Sequence, residues 1–202
     1  MTSAETDVRV VRPESWRIFC AIDLAASVRA SLMRHINRLR EAVPNAQASW
    51  SPEENIHLTL KFLGEIQTSR VSNLSNAAAR AVVTIPSFQI TLENTGVFPK
   101  HGAPHVLWIG VHDESGKLSE LQTRLEEECA RDGFAREERA FHPHLTIARL
   151  RKPQGARALA AAHEEMRFEP VDIAVGELLV IRSEPSGAGS RYTVISRHPL
   201  ER

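Results

Sequence analysis

A chain of 202 residues with 25 Lys and Arg against 25 Asp and Glu carries no net formal charge, which excludes a protein that coats nucleic acid through bulk charge. Its apolar fraction of 42% excludes a largely disordered chain. No apolar run approaches the roughly 20 residues of a membrane-crossing helix, residues 1–15 lack a signal-peptide core, and Cys20 and Cys129 lack metal-site spacing. A reduced, cytoplasmic protein with no membrane contact is the expectation.

Residues 1–15 read as a flexible tail, and residues 16–202 as a single domain of two lobes sharing a core. Residues 16–23 are short and rich in strand formers, a buried strand. From Ala26, Val28, Leu32, Ile36, Leu39 and Val43 recur at spacings of three or four, one apolar stripe on a helix that Pro44 and Asn45 stop. Arg29, Arg34, Arg38 and Arg40 fall off that stripe, on a solvated face. A strand covers residues 56–62 and closes at Gly64. Thr68 is expected to cap a second helix running to about Val83. Residues 88–92 and 105–111 are further strands. A third helix over 115–131 carries Leu118, Leu121, Leu125 and Cys129 on one face and Glu126 to Glu128 on its solvated side, and Asp132-Gly133 ends it. After Pro143 come a strand at 144–148, an Ala-rich helix at 154–166 and a strand at 173–181. A turn-rich connection over 183–190 leads to the closing strand at 192–196.

Ile56-His57-Leu58-Thr59-Leu60 and Pro143-His144-Leu145-Thr146-Ile147 repeat one pattern 87 positions apart, nearly half the chain. Around each, helices and strands follow in similar order, which hints at two similar halves facing each other. Side chains alternate along a strand. By that rule Ile56, Leu58, Leu60 and Phe62 face the core, while His57, Thr59 and Lys61 share the opposite face. His144 and Thr146 likewise oppose Leu145 and Ile147. If the halves face each other, two imidazoles and two hydroxyls converge on one cleft. That set suits phosphodiester hydrolysis without a metal. A neutral imidazole accepts a proton from water, a charged one gives a proton to the leaving oxygen, and both forms exist near neutral pH. Hydroxyls donate to non-bridging phosphate oxygens without adding charge.

The paired His-x-Thr motifs resemble those of the two-histidine (2H) phosphoesterases, above all the RNA 2′,3′-cyclic phosphodiesterases, once named 2′-5′ RNA ligases. Also similar are the stretches 17–24, 55–65, 96–99, 106–111, 141–149 and 191–194, so the resemblance spans about residues 16–200. It implies an α+β fold of two pseudo-symmetric lobes, with antiparallel sheets lining a central cleft and helices outside. It implies hydrolysis of RNA 2′,3′-cyclic phosphate ends to 2′-phosphomonoesters, with weaker reverse 2′-5′ joining. It implies His57 as proton donor, His144 as proton acceptor, Thr59 and Thr146 on the phosphate, and neither metal nor other cofactor. Arg149 matches a family position where a guanidinium could clamp phosphate, yet strict alternation turns it away from His144. Either the strand bends there or Arg149 lines the rim.

Other readings stay open at the level of sequence. Lys61 could meet RNA backbone or stand solvated. Phe62 packs by alternation, with base stacking the minority role. His142 and His144 form a His-x-His pair that a metal hydrolase could use, although no nearby Cys or carboxylate joins them. A non-catalytic nucleotide- or RNA-binding module using the same cleft is the alternative function. The expected partners are RNA ends or nucleotides carrying a 2′,3′-cyclic phosphate, with a monomer as the default assembly.

Overall fold

Nine strands and four helices follow one another in the computed structural model, which describes residues 14–187 and 189–201. The tail expected over 1–15 therefore lies, up to residue 13, outside the described residues. Strand β1 (Ser15–Ile22) leads into helix α1 (Ala26–Ala42), whose Val28, Leu32, Ile36 and Leu39 stripe is buried as its spacing required. After a two-residue strand, β2 (Ser49–Trp50), come β3 (Leu58–Gln67), α2 (Val71–Ala81) and β4 (Phe88–Phe98). The second half repeats that order with β5 (Val106–His112), α3 (Lys117–Arg131), β6 (His144–Arg149), α4 (Ala156–Met166) and β7 (Val171–Val175). A hairpin of β8 (Glu177–Ser186) and β9 (Gly189–Pro199) closes the chain.

Two antiparallel sheets result, ordered β3-β1-β8-β9 and β2-β6-β5-β4-β7. Leaving out β2, the orders correspond place by place, β3 with β6, β1 with β5, β8 with β4 and β9 with β7. The duplication expected from the motif spacing is thus present in the topology. The connecting helices cross between the halves. Helix α3, which joins β5 to β6, packs on α2 and β3, whereas α1, which joins β1 to β3, packs on α4. One apolar core consequently runs behind both sheets, from Ile18 and Leu58 to Leu107 and Leu145. Burial of each Leu or Ile there is worth roughly 1.5–3 kcal/mol.

Several local expectations are corrected. The strand expected over 173–181 is two strands in different sheets, because the chain turns at Gly176 and passes from β7 to β8. Strand β3 does not close at Gly64. That glycine adopts φ +70 inside the strand, at a register shift where Ile18 faces Gly64 and Phe19 faces Phe62, a bulge that only a residue without Cβ enters at no cost. Thr68 opens a short 3-10 turn and makes no side-chain cap. Helix α3 is instead capped by Asp113, whose carboxylate accepts from the Leu118 and Ser119 amides at 2.9 and 3.3 Å.

Behind the second sheet two histidines are buried. His163 of α4 donates from Nε2 to the Trp108 carbonyl at 3.0 Å, where the β5–β6 ladder is interrupted by a register shift. Its Nδ1 must then accept, and His35 of α1 donates to it at 2.9 Å. Burial pushes His35 down to about 4 and lowers His163 as well. An unfolded histidine takes up a proton near pH 6.5, whereas His35 resists until about pH 4 and His163 is shifted in the same direction. The unfolded chain therefore binds more protons in that window, and stability falls as pH falls through it. Urea midpoints measured between pH 7 and 4 should drop, and the drop should shrink in a His35→Leu/His163→Leu variant.

Candidate active site

Each motif histidine sits at the entrance to its strand. His144 Nδ1 lies 2.7 Å from the His142 carbonyl oxygen. A carbonyl only accepts, so Nδ1 carries the proton and the neutral ring keeps its lone pair on Nε2. At His57 the Asn55 backbone, also two residues earlier, acts in the same sense by raising the proton affinity of the ring. Its surroundings differ in kind. Phe19 stacks on the imidazole at 4.5 Å and Tyr192 meets it edge-on at 5.2 Å. Burial in this aromatic slot pushes His57 down to about 4, partly opposed by the Asn55 backbone and by Asp23. His144 faces Phe98 edge-on at 5.1 Å and Trp108 at 6.3 Å.

Both motif strands break their alternation at the same step. In β3, Ala21 faces Thr59 and Cys20 faces Lys61, so Leu60 is the extra residue. In β6, Trp108 faces Thr146 and Leu107 faces Ala148, so Ile147 is the extra residue. Each bulge buries two consecutive side chains, Leu60 with Lys61 and Ile147 with Ala148, and reverses the facing of the residues after it. Arg149 thereby returns to the face of His144 and Thr146 and is exposed there. Of the two placements the sequence left open, the bend is the one observed.

The same bulge overturns two expectations on β3. Lys61 does not share the His57 face. It is buried, and its Nζ donates to Glu126 Oε2 at 2.6 Å and to the Ala135 carbonyl at 2.8 Å. Glu126 is accordingly a buried partner and not part of a solvated face. Phe62 is not a core residue. It is 51% exposed on the His57 face, cross-strand from Phe19, with the Arg17 guanidinium 4.9 Å from its ring centre.

The two sheets meet at this site. Strands β3 and β6 are in contact. The chain leaves β2, which pairs with β6, and reaches His57 within seven residues. On the way Ser51 Oγ donates to the Thr146 carbonyl at 2.8 Å, and Asn55 Nδ2 donates to the Ser190 carbonyl at 2.8 Å. Arg29, assigned from sequence to a solvated face, is committed to Asp23 and to the Leu24 and Glu53 carbonyls. It braces the turn before His57. A cavity of about 370 Å³ opens beside His144, walled by Phe98, Trp108, Gly110 and His142. The Trp108 ring lies so close over Gly96 that a Cβ there would stand 2.1 Å from Cζ2, so glycine at 96 is what lets the indole lie flat. A second cavity, about 330 Å³, adjoins Tyr192 and Asn55.

Tyr192, Trp108 and Phe98 were not singled out as site residues by pattern. Tyr192 is the chain's single tyrosine, and burial raises its hydroxyl while Arg149 and Arg17 oppose the rise. Guanidiniums of β6 and β1 thus both lie within electrostatic reach of this β9 residue. Only the β8–β9 register, with Ser183 facing Tyr192, could have found it. His142 is exposed and engages His144 through its carbonyl. Among the described residues no group of three His, Cys, Asp or Glu forms a metal-ligand cluster.

Comparison with known proteins agrees with this arrangement. The 2′-5′ RNA ligase superfamily matches residues 28–187. The chain is 33% identical over 180 residues to the RNA 2′,3′-cyclic phosphodiesterase of Thermotoga maritima, covering 89% of this chain and 92% of that one. Among solved structures, TT0787 of Thermus thermophilus is similar with a TM-score of 0.74 at 26% identity, over 91% of this chain and 97% of its own. Escherichia coli LigT complexed with 3′-AMP is similar with a TM-score of 0.71 at 28% identity, over 94% and 100%.

Proposed function

The chain belongs to the 2′-5′ RNA ligase superfamily, and from that premise we propose that it hydrolyses 2′,3′-cyclic phosphate ends of RNA, or small nucleotides bearing the same group, to 2′-phosphomonoesters. The observation that carries this reading is the matched pair of His-x-Thr strands, each with its imidazole at the strand entrance and each bulged after the threonine.

His144 is the proton acceptor, and its Nε2 lone pair takes a proton from water as the water oxygen bonds to phosphorus. The bond from phosphorus to the 3′ oxygen breaks, and His57 delivers its proton to that oxygen. Thr59 and Thr146 donate to the non-bridging oxygens, and Arg149 supplies positive charge to them. The low proton affinity of His57 fits this role once the substrate is considered. A cyclic phosphate carries a negative charge into the cleft, and an anion near an imidazole favours its charged form. The site thus loads its acid when substrate arrives. A monomeric cytoplasmic enzyme without metal or other cofactor is the setting this reading expects.

Phosphorus NMR of the product from a 2′,3′-cyclic nucleotide tests the assignment. A single 2′-monoester signal is expected, at a rate unchanged by EDTA. A 3′-monoester would reverse the regiochemistry, and saturable binding without product would leave a binding module. In pH–rate profiles, activity falls as pH rises through the pKa of the acid. The alkaline limb of kcat should therefore lie at higher pH than that of kcat/KM, since kcat reports the substrate complex.

A further inference from the structure

Three hydrogen bonds converge on the bulge in β6, and two of them come from side chains outside both motifs. On the β2 side, Ser51 meets two consecutive carbonyls. Its amide donates to the carbonyl of Ile147, the extra residue, at 2.9 Å, and its Oγ donates to that of Thr146 at 2.8 Å. On the β5 side, His163 donates from Nε2 to the Trp108 carbonyl at 3.0 Å, and Trp108 is where the β5–β6 register shifts. His163 is fully buried, and His35 donates to its other nitrogen at 2.9 Å, so both ring nitrogens are spent.

An extra residue interrupts the ladder at that step, and backbone polar groups away from water need partners. The donors on Trp108, Thr146 and Ile147 therefore favour the bulged register over a regular one. A one-residue slip would exchange the faces of every residue past the bulge. Thr146 precedes the bulge and keeps its face in either register. Arg149 follows it and reaches the face of His144 only in the bulged one. In the first sheet the corresponding place, five residues after His57 and past the like bulge, holds Phe62, so this guanidinium comes from the second half alone.

We infer that Ser51 and His163 are positioning residues for the reaction, which hold the β6 bulge from its two sides and so keep the Arg149 guanidinium on the face of His144 and Thr146. Neither side chain touches the substrate, and both act through Arg149. The cyclic-phosphodiesterase reading, on which this rests, makes the phosphate that Arg149 meets that of a 2′,3′-cyclic nucleotide or of its 2′-monoester product.

A double-variant cycle tests this, read in kcat for a 2′,3′-cyclic nucleotide and in calorimetric binding of a nucleoside 2′-monophosphate, both taken per folded protein. His163→Leu removes the donor, whereas His163→Gln keeps a donor for Trp108 and an acceptor for His35. His163→Leu should lower kcat by about tenfold to a hundredfold, the upper figure being the scale of a misplacement of about 1 Å, and should weaken monophosphate binding. His163→Gln should restore most of both. In an Arg149→Met background His163→Leu should cost nothing further, because the group it acts through is gone. Ser51→Ala should lose rate and binding in the same way, and Ser51→Thr should keep them. The Ser51 variants carry the test if His163→Leu does not fold, since Ser51 is only half-buried and its amide bond survives. Wild-type behaviour in folded His163→Leu, in Ser51→Ala or in Arg149→Met, losses that multiply in the double variant, or a glutamine no better than leucine overturns the inference. A non-additive binding cycle without turnover would keep the positioning role while removing the hydrolase reading, and turnover with multiplying losses would do the reverse. A wild type that neither binds the monophosphate nor turns over the cyclic nucleotide removes both.

Discussion

His57→Ala and His144→Ala should each lower turnover of a 2′,3′-cyclic nucleotide by about 10²- to 10⁴-fold, the range for loss of a positioned acid or base. Neither change should unfold the chain. Neither ring belongs to the core behind the sheets, so far-UV circular dichroism should match the wild type. The double variant should lose little more than the worse single one, because an acid and a base acting in one displacement form a unit. His142→Ala belongs in the same series. Its contribution to the site is a backbone carbonyl, which alanine keeps, so its rate should stay within a few-fold of wild type. Loss of turnover in His142→Ala comparable to that in His144→Ala would instead favour the metal-bound His-x-His reading. Full activity in either His57→Ala or His144→Ala would remove the two-histidine mechanism.

The second large effect concerns stability. Lys61→Met should destabilise the fold by about 3–5 kcal/mol, since it strips the cation from a buried ion pair and leaves a carboxylate behind. The Lys61 and Glu126 side chains are 3% and 11% exposed. Glu126 Oε1 has no hydrogen-bond partner among the described residues, and Oε2 accepts from Lys61 and from the Glu137 amide. The double variant Lys61→Met/Glu126→Leu should recover most of the loss, because removing both charges also removes the desolvation cost. Urea denaturation of the three proteins measures this. A single variant within about 1 kcal/mol of wild type, against that 3–5 kcal/mol, would mean the pair is solvated in practice. The pair also joins β3 to the 135–137 segment that leads toward His144, so the single variant should lose rate beyond its loss of folded protein.

What could be read from sequence divides along one physical line. Periodicity found the α1 stripe, the α3 face and the two motif strands, because those elements keep one facing throughout. It placed His57, Thr59, His144 and Thr146 on their shared faces, since all four precede the bulges. It misplaced Lys61 and Phe62 and could not place Arg149, since all three come after them. A bulge adds one residue without changing composition, and nothing in Leu60-Lys61 or Ile147-Ala148 announces it. The buried Lys61–Glu126 pair was hidden for a related reason, since each residue by itself reads as solvent-facing. Tyr192, Phe98 and Trp108 became visible as site walls only through the pairing of strands far apart in the chain. The split of residues 173–181 at Gly176 depends on which sheet each half joins, a tertiary choice that local pattern does not encode.

The place-by-place match of the two sheets has a last consequence. Two separate copies of a half-length chain, related by a true twofold axis, would have to carry identical side chains at corresponding places of the two sheets. Each would hold the ring that Phe62 supplies or the guanidinium that Arg149 supplies, never one of each, and the two imidazoles would share a single environment. Joining the halves into one polypeptide lifts that restriction. Division of labour between two imidazoles, one set against Phe19 and Tyr192 and the other against Phe98 and Trp108, is open only to the covalently continuous form.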